Sequence, residues 1–228
     1  QERIPVIDVL RGVAIFGILV VNVLYFFNPW YAPMTTPDST AGEQVVKFIT
    51  NTFFVSKFYT LFSFLFGLGM AIQMGRAQAK EAPFLPVYLR RLLVLAIFGV
   101  VHGVFLWTGD ILLMYAVIGF ITVTLFRSRS PKTLLVWALV FLLLPVLFIA
   151  LSAGLVELAR QAPPETGAYE QVQVAFDTAQ QEIRREVAAA TEAYRHGSWW
   201  TVTRYRASEF FSLVSSTMLF MAPSVLGM

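Results

Sequence analysis

Residues 4–27 read IPVIDVLRGVAIFGILVVNVLYFF, an apolar run broken by one acid, one base and one amide: Asp8, Arg11 and Asn22. The run exceeds the ~20 residues that a helix needs to cross a bilayer. At about 100° per residue, Asp8 and Arg11 lie roughly 60° apart on such a helix, and Arg11 and Asn22 fall within about 20° of each other. All three therefore share one stripe. A charge inside the hydrocarbon costs from about 3 to more than 10 kcal/mol and usually faces a protein interior or a wet cavity. The stripe predicts a spanning helix whose polar edge faces inward.

The same reading extends outward along the chain. Of the 228 residues, 57% are hydrophobic and 14% charged, against about 25% charged in an average soluble domain. These values predict an all-α polytopic membrane bundle. Six spans are expected, near 4–27, 52–74, 89–107, 110–126, 133–156 and 207–228. The domain reading is a five-span bundle over 1–156, an extracytoplasmic segment over 157–206, and a sixth span over 207–228. That last span reaches the final residue without a cap, which predicts a truncated chain with further spans beyond it. The first span outruns the 7–15-residue apolar core of a signal peptide, and no small-x-small cleavage site follows it. The chain has no cysteine, which excludes disulfides, thiol catalysis and Cys-ligated metal. Two histidines without ligand spacing predict no metal site. The net charge of +3 carries no nucleic-acid patch.

Basic residues set the orientation. Arg76, Lys80, Arg90 and Arg91 crowd the second connection, and RSRSPK at 127–132 holds three more bases without an acid. Both connections belong in the cytoplasm by the positive-inside rule, so the N-terminus is expected there too. The 28–51 loop and the 157–206 segment then lie outside. Within the latter, Val172, Phe176, Ala179, Ile183, Val187, Ala190 and Tyr194 recur at spacings of three and four, the pattern of an amphipathic helix stopped at Gly197. It is expected to pack on the bundle or, over 170–196, to dock a partner subunit or a second copy. Membrane lipid is the other expected partner.

Depth sorts the polar groups into two sets. Asp8, Arg11, Arg76, Arg90 and Arg91 form a basic vestibule at the inner end, with Gln73 beside them. Asn22, Lys57, His102 and Asp110 lie at one outer depth on four helices. Eleven residues at about 1.5 Å rise separate the sets by about 16 Å, a gap that a pantetheine-like arm or a file of water would bridge. Each group also has a plainer reading. Asp8–Arg11 reads as a structural ion pair, Arg90 and Arg91 as topology signals, and Asp110 as a helix N-cap. Lys57 reads as a snorkelling base, Asn22 as an interhelical hydrogen bond, and His102 as a satisfied core histidine. An Asp110–His102 pair would instead orient the imidazole as a general base.

Three stretches carry a family resemblance: IDVLRGVAIFGILVVN at 7–22, KFYTLFSFLFGLGMAIQ at 57–73 and RRLLVLAIFGVVHGVFLWTGDILLMYAVIGF at 90–120. They resemble the YeiB-like family of bacterial membrane proteins, whose members are usually longer. That resemblance implies a bacterial cytoplasmic (inner) membrane location. The family is distantly similar to membrane acyltransferases of the heparan-glucosaminide N-acetyltransferase type, on the strength of Asp8-x-x-Arg11-Gly12 and Asn22. There a histidine follows the asparagine by eleven residues, where this chain has Pro33, and an acid stands at the position of Lys57. The likeness implies an acyl-CoA donor, which the vestibule of Asp8, Arg11, Arg76, Arg90 and Arg91 would bind. The catalytic set would be His102 as base, Asp110 orienting it, and Asn22 and Lys57 stabilising an oxyanion. The same path would equally serve a small-solute transporter or channel, and the outer helix a membrane scaffold subunit.

Overall fold

The computed structural model describes residues 4–26, 28–32 and 40–220, and among these every regular element is helical. Helix α1 spans Pro5–Phe26. Proline suits its first position, because the missing N–H has no intrahelical partner there. The loop expected over 28–51 contains a helix, α2 (Ala41–Ile49), started by a capping box. The Glu43 N–H donates to Thr40 Oγ1 at 3.2 Å and the Thr40 N–H to Glu43 Oε2 at 3.1 Å. A π-helical turn, Thr50–Phe54, follows. The chain then breaks at Ser56, whose φ is 69°, and α3 runs Lys57–Ala79. The second expected span therefore starts five residues later than its apolar run, on the far side of a backbone kink.

Helix α4 (Phe84–Val101) ends in a second π-helical turn, His102–Leu106, and α5 (Leu112–Leu125) returns antiparallel to it. Helix α6 (Pro131–Gln161) begins with Ser130 Oγ accepting the Thr133 N–H. A 3-10 turn at Pro164–Thr166 leads into α7 (Ala168–His196), and α8 spans Trp199–Phe220.

Glycines let the helices approach. Gly99 of α4 lies directly on the backbone of Leu113 in α5, with no room for a Cβ. Gly17 of α1 sits against the ring of Phe58 in α3, and Gly103 against the ring of the fully buried Phe210 in α8. Such small-residue contacts suit helix association in lipid, where packing replaces the hydrophobic drive. Tyr88, Leu92 and Val123 form a buried cluster between α4 and α5, covered by Phe66 and Met70 of α3.

Among the described residues, four helical stretches are long and apolar enough to cross a membrane: Pro5–Val23, Ala41–Ala79, Phe84–Leu106 and Pro131–Gln161. Of the six spans expected, the fourth and the sixth are not among them. Helix α5 is apolar but has 14 residues, about 21 Å against a hydrocarbon core of about 30 Å. It falls short because the Thr108–Ile111 segment is spent on the hairpin turn. Helix α8 starts at Trp199, ahead of the expected boundary at 207, and residues 221–228 of that sixth span lie outside the described residues. Helix α6 buries none of its residues. The amphipathic helix matches α7: Ile183, Val187, Ala190 and Tyr194 are half-buried or buried, while Phe176 and Ala179 further up the same face are exposed.

Candidate functional site

At the end of the bundle holding the N-terminus of α1, three helices bring polar groups together. Arg11 reaches across α3 so that its guanidinium occupies the space over Gly69, where any Cβ would displace it. One turn further along α3, Gln73 donates to the Gly69 carbonyl at 3.0 Å and accepts a hydrogen bond from Arg91 of α4. Arg11 and Arg91 thus flank Gly69 and Gln73. Asp8 lies 3.7 Å from Arg11, with both side chains largely exposed, so the pair contributes little by itself. Arg76 and Arg90 are exposed.

The outer set separates. Asn22 Oδ1 accepts the phenol of Tyr59 at 2.6 Å, and Ser63 and Tyr115 share a 2.7 Å hydrogen bond one turn deeper. The Tyr115 hydroxyl also reaches the Tyr59 carbonyl at 3.4 Å. This network ties α1, α3 and α5 together. Tyr59 and Tyr115 were invisible as partners in the sequence, where nothing links a phenol in the second span to one in the fourth. Lys57 is exposed at the start of α3 and donates to the Asn51 carbonyl at 3.5 Å. Neither Asn22 nor Lys57 hydrogen-bonds to His102 or Asp110.

His102 and Asp110 do meet. Nδ1 of His102 lies 2.8 Å from Oδ2 of Asp110, whose side chain is 1% exposed. The oxygen sits off the line of an in-plane N–H, so Nδ1 is buried without a well-aligned hydrogen bond. The other carboxylate oxygen, Oδ1, accepts the N–H groups of Leu112 and Leu113 at 2.8 and 3.2 Å. The helix-cap reading of Asp110 is therefore met by Oδ1, while Oδ2 lies beside the imidazole. One starts α5; the other fixes which imidazole nitrogen faces the protein. Nε2 of His102 has no hydrogen-bond partner among the described residues, and the ring is partly exposed.

The backbone at His102 is itself unusual. The Trp107 N–H bonds to the His102 carbonyl at 2.9 Å, closing the π-helical turn. Such turns are rare and are often found at functional sites. The turn carries Trp107 beside the imidazole, with ring centroids 6.4 Å apart. Phe26 packs edge-on to Trp107 at 4.8 Å, and Trp30 lies 6.1 Å from it. Gly109 is pressed between the rings of Trp107 and Trp30. An aromatic layer therefore covers the His102–Asp110 pair.

Helix α8 closes this end. Arg206 Nη1 donates to the Phe105 carbonyl at 2.7 Å. Glu209 interacts with Thr108, the backbone of Trp30 and the hydroxyl of Tyr194, the last at 3.1 Å. Sequence reading passed over Glu209, because a lone acid in a mixed helix carries no signal until the fold places it on the 107–110 turn. Groups of three or more acidic, His or Cys side chains fit to hold a metal are absent among the described residues.

Four membrane-length helices among the described residues define a polytopic membrane protein, with a partly exposed histidine on a buried aspartate at one end. Its sequence has curated relatives. Over 164 residues, 67% of this chain and 40% of the relative, the chain is 44% identical to the uncharacterized protein YxaH of Bacillus subtilis. It is 34% identical over 164 residues, 68% of this chain, to the uncharacterized protein YeiB of Escherichia coli, and covers 40% of it. An uncharacterized 39.9 kDa protein in the amylase 3' region of Bacillus acidopullulyticus is 32% identical over 165 residues, 68% of this chain and 46% of that protein. The chain thus spans less than half the length of the curated relatives it matches. These homologues support a YeiB-like family. No family model and no solved structure matches the chain.

Proposed function

We propose that the protein is an integral-membrane acyltransferase that uses His102 as general base and an acyl-CoA as donor. The observation that carries this reading is the His102–Asp110 pair, with one carboxylate oxygen on the imidazole and Nε2 facing away. An acceptor hydroxyl or amine attacks the thioester carbonyl, Nε2 takes its proton, and the coenzyme A thiolate leaves and is reprotonated. Asp110 acts as a positioning residue that sets the tautomer. A base of this kind contributes about 10²–10⁴ in rate.

Arg11 and Arg91 suit the donor's phosphates, since paired guanidinium groups bind such oxygens bidentately. Arg91 and His102 are eleven residues apart along α4, about 16 Å and within about 20° on one face. An extended thioester arm laid along that face would bring its carbonyl toward the imidazole. In this proposal the base faces the extracytoplasmic side, the acceptor comes from there, and the N-terminus is cytoplasmic, as the basic connections at 76–91 and 127–132 favour.

The test is acyl-CoA binding by calorimetry to the purified chain in detergent, followed by thioester turnover with hydroxyl and amine acceptors. Binding should weaken about tenfold in Arg91→Gln, the loss of one charged hydrogen bond. His102→Gln should bind normally and lose turnover. Absence of binding at millimolar acyl-CoA overturns the reading. Solute flux through proteoliposomes with no acylated product would replace it with a transporter.

A further inference from the structure

A cavity of about 320 Å³ opens between α7, α8 and the segment after α1. This volume is in the range of small-ligand pockets. Its walls bring together Tyr31, Tyr205, Glu182, Glu186, Glu209 and Arg185. It is separate from the Arg11–Arg91 end of the bundle. Glu209 joins it to the His102 turn through Thr108 and the backbone of Trp30.

Its charge is unbalanced. Arg185 Nη1 lies 3.6 Å from Glu182 Oε2, one turn away on α7, with both side chains well exposed at the rim. That pair cancels and leaves Glu186 and Glu209 as the net charge of the lining. Arg206, one residue after Tyr205, does not line the cavity: it bonds the Phe105 carbonyl and lies 5.8 Å over the Tyr194 ring. The tyrosines feel the same negative field. Burial, and then Glu209 and Glu186, push the Tyr205 phenol up to about 12, and burial with Glu186 and Glu209 raises Tyr31.

Two carboxylates beside two tyrosine rings make a recognisable chemistry. Carboxylates supply charge and acceptors, and ring faces attract a desolvated cation. The hinge of the cavity is also held in shape: Tyr205 donates to the Glu186 carbonyl at 3.2 Å and meets the ring of Tyr194 edge-on at 5.9 Å. We propose that this cavity binds the ammonium group of a small organic cation, with Glu186 and Glu209 as counter-charges and Tyr31 and Tyr205 as aromatic walls. The site does not rest on the acyl-transfer reading, since neither His102 nor the arginine cluster belongs to it. The cation is either free in solution or the headgroup of a lipid.

The experiment uses the whole chain in nanodiscs of phosphatidylglycerol, titrated with ethanolamine and with choline by calorimetry. Saturable binding is expected. It should weaken about tenfold in Glu186→Gln, whose exposed position spares the fold, and again in Tyr205→Ala. Arg185→Gln should bind no more weakly than the parent, because it removes a rim cation. Repeating the titration in phosphatidylethanolamine nanodiscs separates the sources. Competition by the lipid assigns the site to a headgroup, and unchanged binding assigns it to a soluble amine. No saturable binding at millimolar ligand, or binding indifferent to Glu186→Gln, overturns the proposal whatever the outcome of the acyl-CoA titration.

Discussion

Replacing Asp110 by asparagine and by alanine separates its two duties. Asparagine keeps an oxygen for the N–H groups of Leu112 and Leu113, now bonded at 2.8 and 3.2 Å. Alanine removes it, and losing a helix cap costs about 1 kcal/mol, with a range of about 0.5–2. Asp110→Ala should therefore unfold more easily than Asp110→Asn by roughly that amount, measured by thermal unfolding in one detergent. Opposite His102, the asparagine presents an amide N–H where the carboxylate presented an acceptor. Nδ1 must then accept, so the ring proton moves to Nε2 and the lone pair needed for a base is lost. Nitrogen NMR of labelled histidine reads the two tautomers directly, without any turnover assay. The expected result is proton on Nδ1 in the parent and on Nε2 in Asp110→Asn, with the stability of the variant close to the parent. Equal destabilisation by both substitutions would refute the cap, and an unchanged tautomer would refute the orienting role.

Other outcomes follow from the packing. Gly99→Ala should destabilise by about 1–3 kcal/mol, because its Cβ meets the Leu113 backbone, which cannot rotate aside. Gly67→Ala, with open space around it, should be neutral or stabilising by up to about 1 kcal/mol. The comparison fails if both behave alike in thermal unfolding. A double-mutant cycle between Tyr59→Phe and Asn22→Ala should give a coupling of about 0.6–1.7 kcal/mol, the range for interhelical hydrogen bonds in membranes. A coupling of zero would dissolve that link. The phenol of Tyr205 is raised to about 12 in the fold, above its ordinary value near 10. Its contribution is then complete below pH 10 and lost as pH climbs from about 10 toward 12. The α7–α8 hairpin should loosen across that window, by hydrogen exchange, and Tyr205→Phe should shift the loss to higher pH.

The spanning helices were readable because hydropathy alone dictates them: nothing but a helix satisfies the backbone of residues 4–27 in lipid. The same signal misjudged α2 and the break at Ser56, since a capping box and a positive φ are local polar events inside an apolar average. It drew the fourth span longer than α5 is, because the turn consumed residues that hydropathy assigned to the helix. Asp8, Arg11 and Asn22 do share one edge of α1, yet that edge serves two unrelated neighbourhoods, Gly69 at one end and Tyr59 at the other. The His102–Asp110 pair was legible from a tight hairpin between two polar residues. Glu209, about a hundred residues further on, was not, because no periodicity links it to that hairpin.

The π-helical turn at His102–Leu106 amounts to one extra residue wound into an α-helix. Everything downstream is aimed by that insertion. Deleting a single residue between Gly103 and Leu106 would restore regular winding and rotate the following chain by about 100°. The change would leave hydropathy, charge and length almost untouched. It would swing Trp107 off the imidazole and carry Asp110 away from Nδ1. The contact between His102 and Asp110 is thus held in phase by one residue, and a one-codon deletion there would part the two without unmaking the membrane helices.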